Sequence, residues 1–110
     1  MSRIATVRAK HLRRRILDIL KAARSAGGDG WISLKSLFAF LADESDALTG
    51  AELADKVRYL AEESKGYAET RNVRERRSDP PRLQTRVLAK GIDLTEGTVP
   101  ADPGIEDDRP

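Results

Sequence analysis

Apolar residues recur at three- and four-residue steps through Ile4, Val7, Leu12, Ile16, Ile19, Leu20 and Ala23, the period of a helix with one buried face. Arg8, Arg13, Arg14, Arg15, Asp18 and Lys21 fall on the other side, and Gly27-Gly28-Asp29-Gly30 predicts the stop after about Ala26, because glycine takes positive φ at little cost. Trp31 and Ile32 predict a short extended segment. Ser33 then stands where it can cap a second helix, with Leu34, Leu37, Phe38 and Leu41 inward and an end near Asp43. Trp31 and Phe40 are expected to be packing residues, with Trp31 covering the helix junction.

Asp43-Glu44-Ser45-Asp46 reads as a polar connector, and Thr49 followed three residues later by Glu52 fits a capping box. The third helix is predicted to run to about Ser64, with Leu53, Ala54, Val57, Leu60 and Ala61 inward and Gly66 ending it. Tyr67 to Val73 interleaves aromatic and β-branched residues with polar ones, Ser78-Asp79-Pro80-Pro81 marks a turn, and Arg82 to Val87 reads as a returning strand. Leu88 to Glu96 is a short last helix. From Gly97 onward, prolines and glycines predict an extended course. Val99, Pro100 and Ile105 offer apolar purchase for docking, and Glu106 to Pro110 is expected to be disordered. The fold class is therefore mainly α with a small β-hairpin (α+β). Residues 1–97 form the domain and residues 98–110 an extended acidic tail.

Composition narrows the function classes. The chain has 110 residues, 39% of them hydrophobic, enough for one modest core and too few for a deep cleft. It has no cysteine and one histidine, which excludes disulfides, thiol nucleophiles, thiolate metal sites and multi-histidine sites. His11 has no carboxylate at helical spacing, since Asp18 lies seven residues on. The Gly27–Gly30 run lacks the Lys-Ser/Thr of a phosphate loop and follows a helix, where such loops follow a strand. The chain is expected not to be an enzyme and to need no cofactor or metal. No apolar run approaches the roughly 20 residues of a membrane helix, and arginines interrupt any signal-type segment, so a cytoplasmic protein without membrane contact is expected.

The formal net charge of +2 conceals alternating blocks. Met1 to Arg24 has eight basic residues against one acidic, Ser25 to Gly66 four against eight, Tyr67 to Gly91 seven against three, and Ile92 to Pro110 one against six. A basic block is the footprint of a polyanionic partner. The element order, three helices, a hairpin and a last helix, is that of a winged helix-turn-helix, which would present the third helix to the major groove and the hairpin as a wing. On that reading double-stranded DNA is the partner. Arg71, Arg74, Arg76, Arg77 and Arg82, with Arg13, Arg14 and Arg15, grip phosphates, while Thr49, Ala51, Glu52, Lys56 and Tyr59 face bases with Arg58 beside them.

Two stretches carry a resemblance. Val57-Arg58-Tyr59-Leu60-Ala61-Glu62 followed by Gly66-Tyr67 resembles the end of the third helix in winged-helix regulators. Arg86-Val87-Leu88-Ala89-Lys90-Gly91-Ile92-Asp93-Leu94-Thr95-Glu96-Gly97 is similar to the strand-to-helix junction of PadR-like and MarR-like transcription factors, with Leu88 where those families place a capping threonine. With Gly97-Thr98-Val99-Pro100 and Pro103-Gly104-Ile105 included, roughly residues 10–105 resemble the small winged-helix proteins of Mu-like transposable phages. The resemblance implies a DNA-binding protein in transcription regulation.

A second reading stays open. On the third helix Glu52, Asp55, Glu62 and Glu63 outnumber Lys56 and Arg58, and carboxylates repel phosphate. A winged-helix protein-interaction module would instead offer this acidic helix to a basic partner. Leu17 lies off the apolar stripe. Together with Ile4 and Val7 it predicts surplus apolar surface, and hence a homodimer through the first and last helices. Beside disorder of its last residues, two active roles stay open for the acidic tail: competing with DNA for the basic hairpin, or packing on a partner subunit.

Overall fold

The computed structural model describes residues 3–42 and 47–107. Its elements are α1 (Arg3–Ser25), β1 (Ile32–Ser33), α2 (Leu34–Ala42), α3 (Gly50–Ala61), β2 (Ala68–Val73), β3 (Arg82–Val87) and α4 (Ala89–Glu96). This is an α+β arrangement of four helices and a three-stranded antiparallel sheet in the order β1-β3-β2. The predicted hairpin gains a third strand, because the extended segment after the glycine turn pairs Ile32 with Thr85 and Ser33 with Gln84. The Asp43–Asp46 connector, the predicted end of the second helix at Asp43 and the last three residues lie outside the described residues.

The helix starts follow local chemistry. Ser33 Oγ accepts from the Ser36 N–H at 3.1 Å, opening α2, and Thr49 Oγ1 accepts from the Glu52 N–H at 3.1 Å, opening α3. Only half of the capping box forms, since the Glu52 carboxylate pairs with Arg8 at 3.1 Å. The third helix stops at Ala61, one turn earlier than predicted, with Glu62 as its C-cap. Gly66 then turns the chain at φ 67°. Leu88 caps α4 without a side-chain hydrogen bond, as expected of a leucine where a threonine would bond.

One core holds these elements together. Leu12, Ile16, Leu17 and Leu20 of α1 meet Leu37 and Leu41 of α2, Leu53, Val57 and Leu60 of α3, and Val87, Leu94 and Ile105 from the later elements. Leu17 is fully buried, which corrects the expectation that it faces a partner. α1 packs against α3, β3 and α4, so its buried arc is wider than a single stripe. The apolar surplus that predicted a homodimer is thereby reduced to Val7, exposed at 56%, and Ile4, whose side chain is outside the description. Phe40 is also corrected, being 60% exposed. It lies off the Leu37–Leu41 face, while Phe38 packs on the core.

The segment 98–107 has no helix or strand and lies against the body. Ile105 is buried and Val99 packs on the core, whereas Pro100 is exposed. The Glu106 N–H donates to the Lys10 carbonyl of α1 at 3.1 Å, so this acidic segment reaches α1 rather than the basic hairpin. Among the described residues no helix is long and apolar enough to cross a membrane.

Gly91 lets α4 lie directly against the Tyr67 backbone. A Cβ there would collide with the Tyr67 carbonyl oxygen and crowd Val87. Gly91→Ala should lower stability by about 1–3 kcal/mol. Gly50→Ala, where a Cβ meets nothing within 4 Å, should be neutral or slightly stabilising. Thermal unfolding of the two variants beside the wild type checks the contrast.

Candidate nucleic-acid interface

The β2–β3 hairpin places its basic residues by strand alternation. Glu69, Arg71 and Val73 pair with Arg86, Gln84 and Arg82, and paired residues share a face. Arg71 Nε donates to Gln84 Oε1 at 2.8 Å, Arg86 pairs with Glu69, and Arg82 is exposed. In the connecting loop the Asp79 N–H donates to the Arg76 carbonyl at 3.0 Å, and Arg74 Nη1 lies 3.5 Å from the Arg77 carbonyl. Arg74, Arg76 and Arg77 are all exposed there. The structure therefore gathers five of the sequence-predicted phosphate ligands, Arg71, Arg74, Arg76, Arg77 and Arg82, on one hairpin.

The arginines of α1 are placed differently. Arg13 donates to the Gly104 carbonyl at 2.8 Å and lies over the Tyr59 ring, 3.9 Å from its centroid. Arg14 donates to Asp18 at 3.1 Å and reaches the Glu106 and Thr95 carbonyls at 3.4 and 3.5 Å. Arg15 is half-buried. Arg13 and Arg14 thus hold segment 98–107 and α4 to α1, instead of joining the hairpin arginines as an open phosphate grip.

Tyr59 is also engaged within the fold. Its hydroxyl donates to Asp102 Oδ1 at 2.8 Å, so it is turned toward segment 98–107. The Asp102 carboxylate also accepts from the Tyr67 hydroxyl at 2.9 Å and the Gly104 N–H at 2.7 Å, with Lys65 Nζ at 3.2 Å. Burial pushes this carboxyl up, but the Gly104 N–H, the two tyrosine hydroxyls and Lys65 outweigh it and hold the group at about 2. Burial, then the bond to Asp102, raises the Tyr67 phenol to about 12. A side chain at Gly104 would strike the Tyr59 ring, so only glycine lets the segment lie this close.

On α3, Lys56 pairs with Asp55 at 3.1 Å and keeps only 13% of its side chain exposed. Glu52 is tied to Arg8. Thr49, Ala51, Asp55 and Arg58 remain exposed. His11 sits on the α1 surface with Nδ1 3.1 Å from Glu106 Oε2, a carboxylate brought from 95 residues away.

Sequence reasoning missed two elements. Asp102 carried a readable signal, because Asp-Pro-Gly is a turn sequence whose aspartate bonds the backbone two residues on. Trp31 lies on the sheet and not over a helix junction. The Arg71 and Arg86 guanidinium carbons stand 4.2 and 4.7 Å from its ring centroid, because Ile32↔Thr85 pairing sets Trp31 beside Arg86.

No protein-family model matches the chain, and comparisons with curated proteins and with solved structures find no match either.

The Asp102 carboxyl titrates lower folded than its ordinary 3.8, so the unfolded chain binds the extra proton on acidification. The stabilisation is complete above about pH 4 and is lost as pH falls toward 2, on the order of 2 kcal/mol. Asp102→Asn should be less stable at neutral pH and flatter in this acid range. Urea midpoints of both proteins across that range check it.

Proposed function

We propose that the chain is a winged-helix DNA-binding protein that holds duplex DNA by the arginines of its β2–β3 hairpin. The observation that carries this reading is the concentration of exposed Arg71, Arg74, Arg76, Arg77 and Arg82 on one hairpin packed beside α3. The element order and the antiparallel β1-β3-β2 sheet support the winged-helix arrangement, with the 74–81 loop as the wing. In this arrangement the wing neutralises phosphates and supplies sequence-independent affinity.

α3 enters the major groove with few readers. Arg58 is exposed and can address guanine. Lys56, Glu52 and Tyr59 already have partners within the fold, and exposed Asp55, Glu62 and Glu63 oppose phosphate. Affinity therefore comes chiefly from the hairpin. A role in transcription regulation of the phage type rests on the resemblance of residues 57–67 and 86–97 to winged-helix regulators.

Fluorescence anisotropy of labelled duplex DNA at two salt concentrations tests the proposal. Wild-type binding should weaken steeply with salt. Changing Arg74, Arg76 and Arg77 to Ala should reduce affinity and make the salt slope shallower by about 0.9 per lost phosphate contact. Absence of binding at low salt overturns the reading in favour of a protein-interaction module, for which the 60% exposed Phe40 and the α3 carboxylates are the surface features.

A further inference from the structure

The three-stranded sheet turns two chemically different faces outward and inward. Ala68, Thr85 and Val87 are buried on the inner face. The outer face carries Glu69, Arg71 and Val73 from β2, and Arg82, Gln84 and Arg86 from β3. Trp31 joins this outer face at the start of β1, and its backbone is pinned where the Trp31 N–H donates to Asp29 Oδ1 at 3.1 Å. The result is an aromatic ring among arginines, on a sheet in which most large apolar side chains are turned the other way.

Both arginines beside the ring have side-chain partners of their own. Arg71 lies over the indole, and its Nε bond to Gln84 fixes the orientation of the guanidinium. Arg86 lies over the same ring while paired with Glu69. Two grooves flank the strip at opposite ends of β3. One, of about 310 Å³, is lined by Ser33, Leu34, Lys35, Arg82 and Leu83. The other, of about 410 Å³, is lined by Arg24, Gly28, Asp29, Arg86, Leu88 and Ala89. Along this path Lys35, Arg82, Arg71, Arg86 and Arg24 outnumber the carboxylates Glu69 and Asp29.

A basic track with an aromatic platform at its centre matches a chain of phosphates bearing exposed bases. In a duplex each base face is covered by its neighbours, so only an unpaired base can stack on a side chain. We propose that the outer sheet face binds single-stranded nucleic acid, with an unpaired base stacked on the Trp31–Arg71 platform and the flanking phosphates on Arg82 and Lys35. This rests on the reading above that the hairpin arginines meet phosphates, and it adds the base as a second recognised group.

Trp31 is the sole tryptophan, so its fluorescence reports the proposed contact directly. The full chain is titrated with oligothymidylate, oligouridylate, an abasic strand of equal length and a duplex, with anisotropy of the labelled strands measured in parallel. Quenching by either pyrimidine strand, with the abasic strand binding more weakly and without quenching, supports the proposal, and the better of the two tells DNA from RNA. Trp31→Ala should weaken oligothymidylate binding about tenfold, Trp31→Phe should restore most of it, and duplex binding should be unchanged in both. Circular dichroism establishes that the variants are folded. Pyrimidine strands that bind no better than the abasic strand, or folded Trp31→Ala with undiminished affinity for them, overturn the inference. Duplex binding that survives such a result leaves the hairpin proposal standing, whereas loss of binding to every strand removes both.

Discussion

Among the described residues, one buried carboxylate ties the C-terminal segment to α3 and to the start of β2. Asp102 is 6% exposed and satisfies two tyrosine hydroxyls, one backbone N–H and one ammonium group. The four donors come from three places: Tyr59 from α3, Lys65 and Tyr67 from the α3–β2 junction, and Gly104 from the segment itself. A buried charge is tolerated only when it is paired and hydrogen-bonded this fully. The placement of Ile105 in the core and of Arg13 over Tyr59 depends on the same geometry.

That constraint divides the basic residues into two populations. Arg13 and Arg14 bond carbonyl groups of segment 98–107 and of α4, so they act within the fold. The hairpin arginines are exposed on strands and a loop that extend from the core. Two blocks that are both basic in sequence therefore differ in what they offer a partner, and the block of higher net charge is the one engaged within the fold.

Periodicity made the helices and the hairpin legible. The inner stripe of α3, with Leu53, Val57 and Leu60, is buried, and Thr49 and Ser33 cap the helices they precede. What was not legible depends on which elements meet. A one-stripe reading left Leu17 outside the core, because helical period does not tell how many neighbours surround a helix. Tyr59 stands on α3 at a position suited to a groove-facing residue until a carboxylate from 43 residues away binds its hydroxyl. Trp31 was misplaced because β1 has only two residues, too short for alternation to show, and its pairing with β3 is what sets the ring on the sheet. The charge of the hairpin tip, by contrast, was plain in sequence, since a loop between two strands leaves its arginines in solvent.

The strand order β1-β3-β2 leaves β2 at the margin of the sheet. An open strand margin exposes unpaired backbone groups that can recruit another chain and seed aggregation. Here that margin runs into Arg74, Arg76 and Arg77, a cluster of like charges that repels the same cluster on a copy approaching in parallel register. The charged tip thus disfavours one of the two ways in which the open strand could recruit another copy.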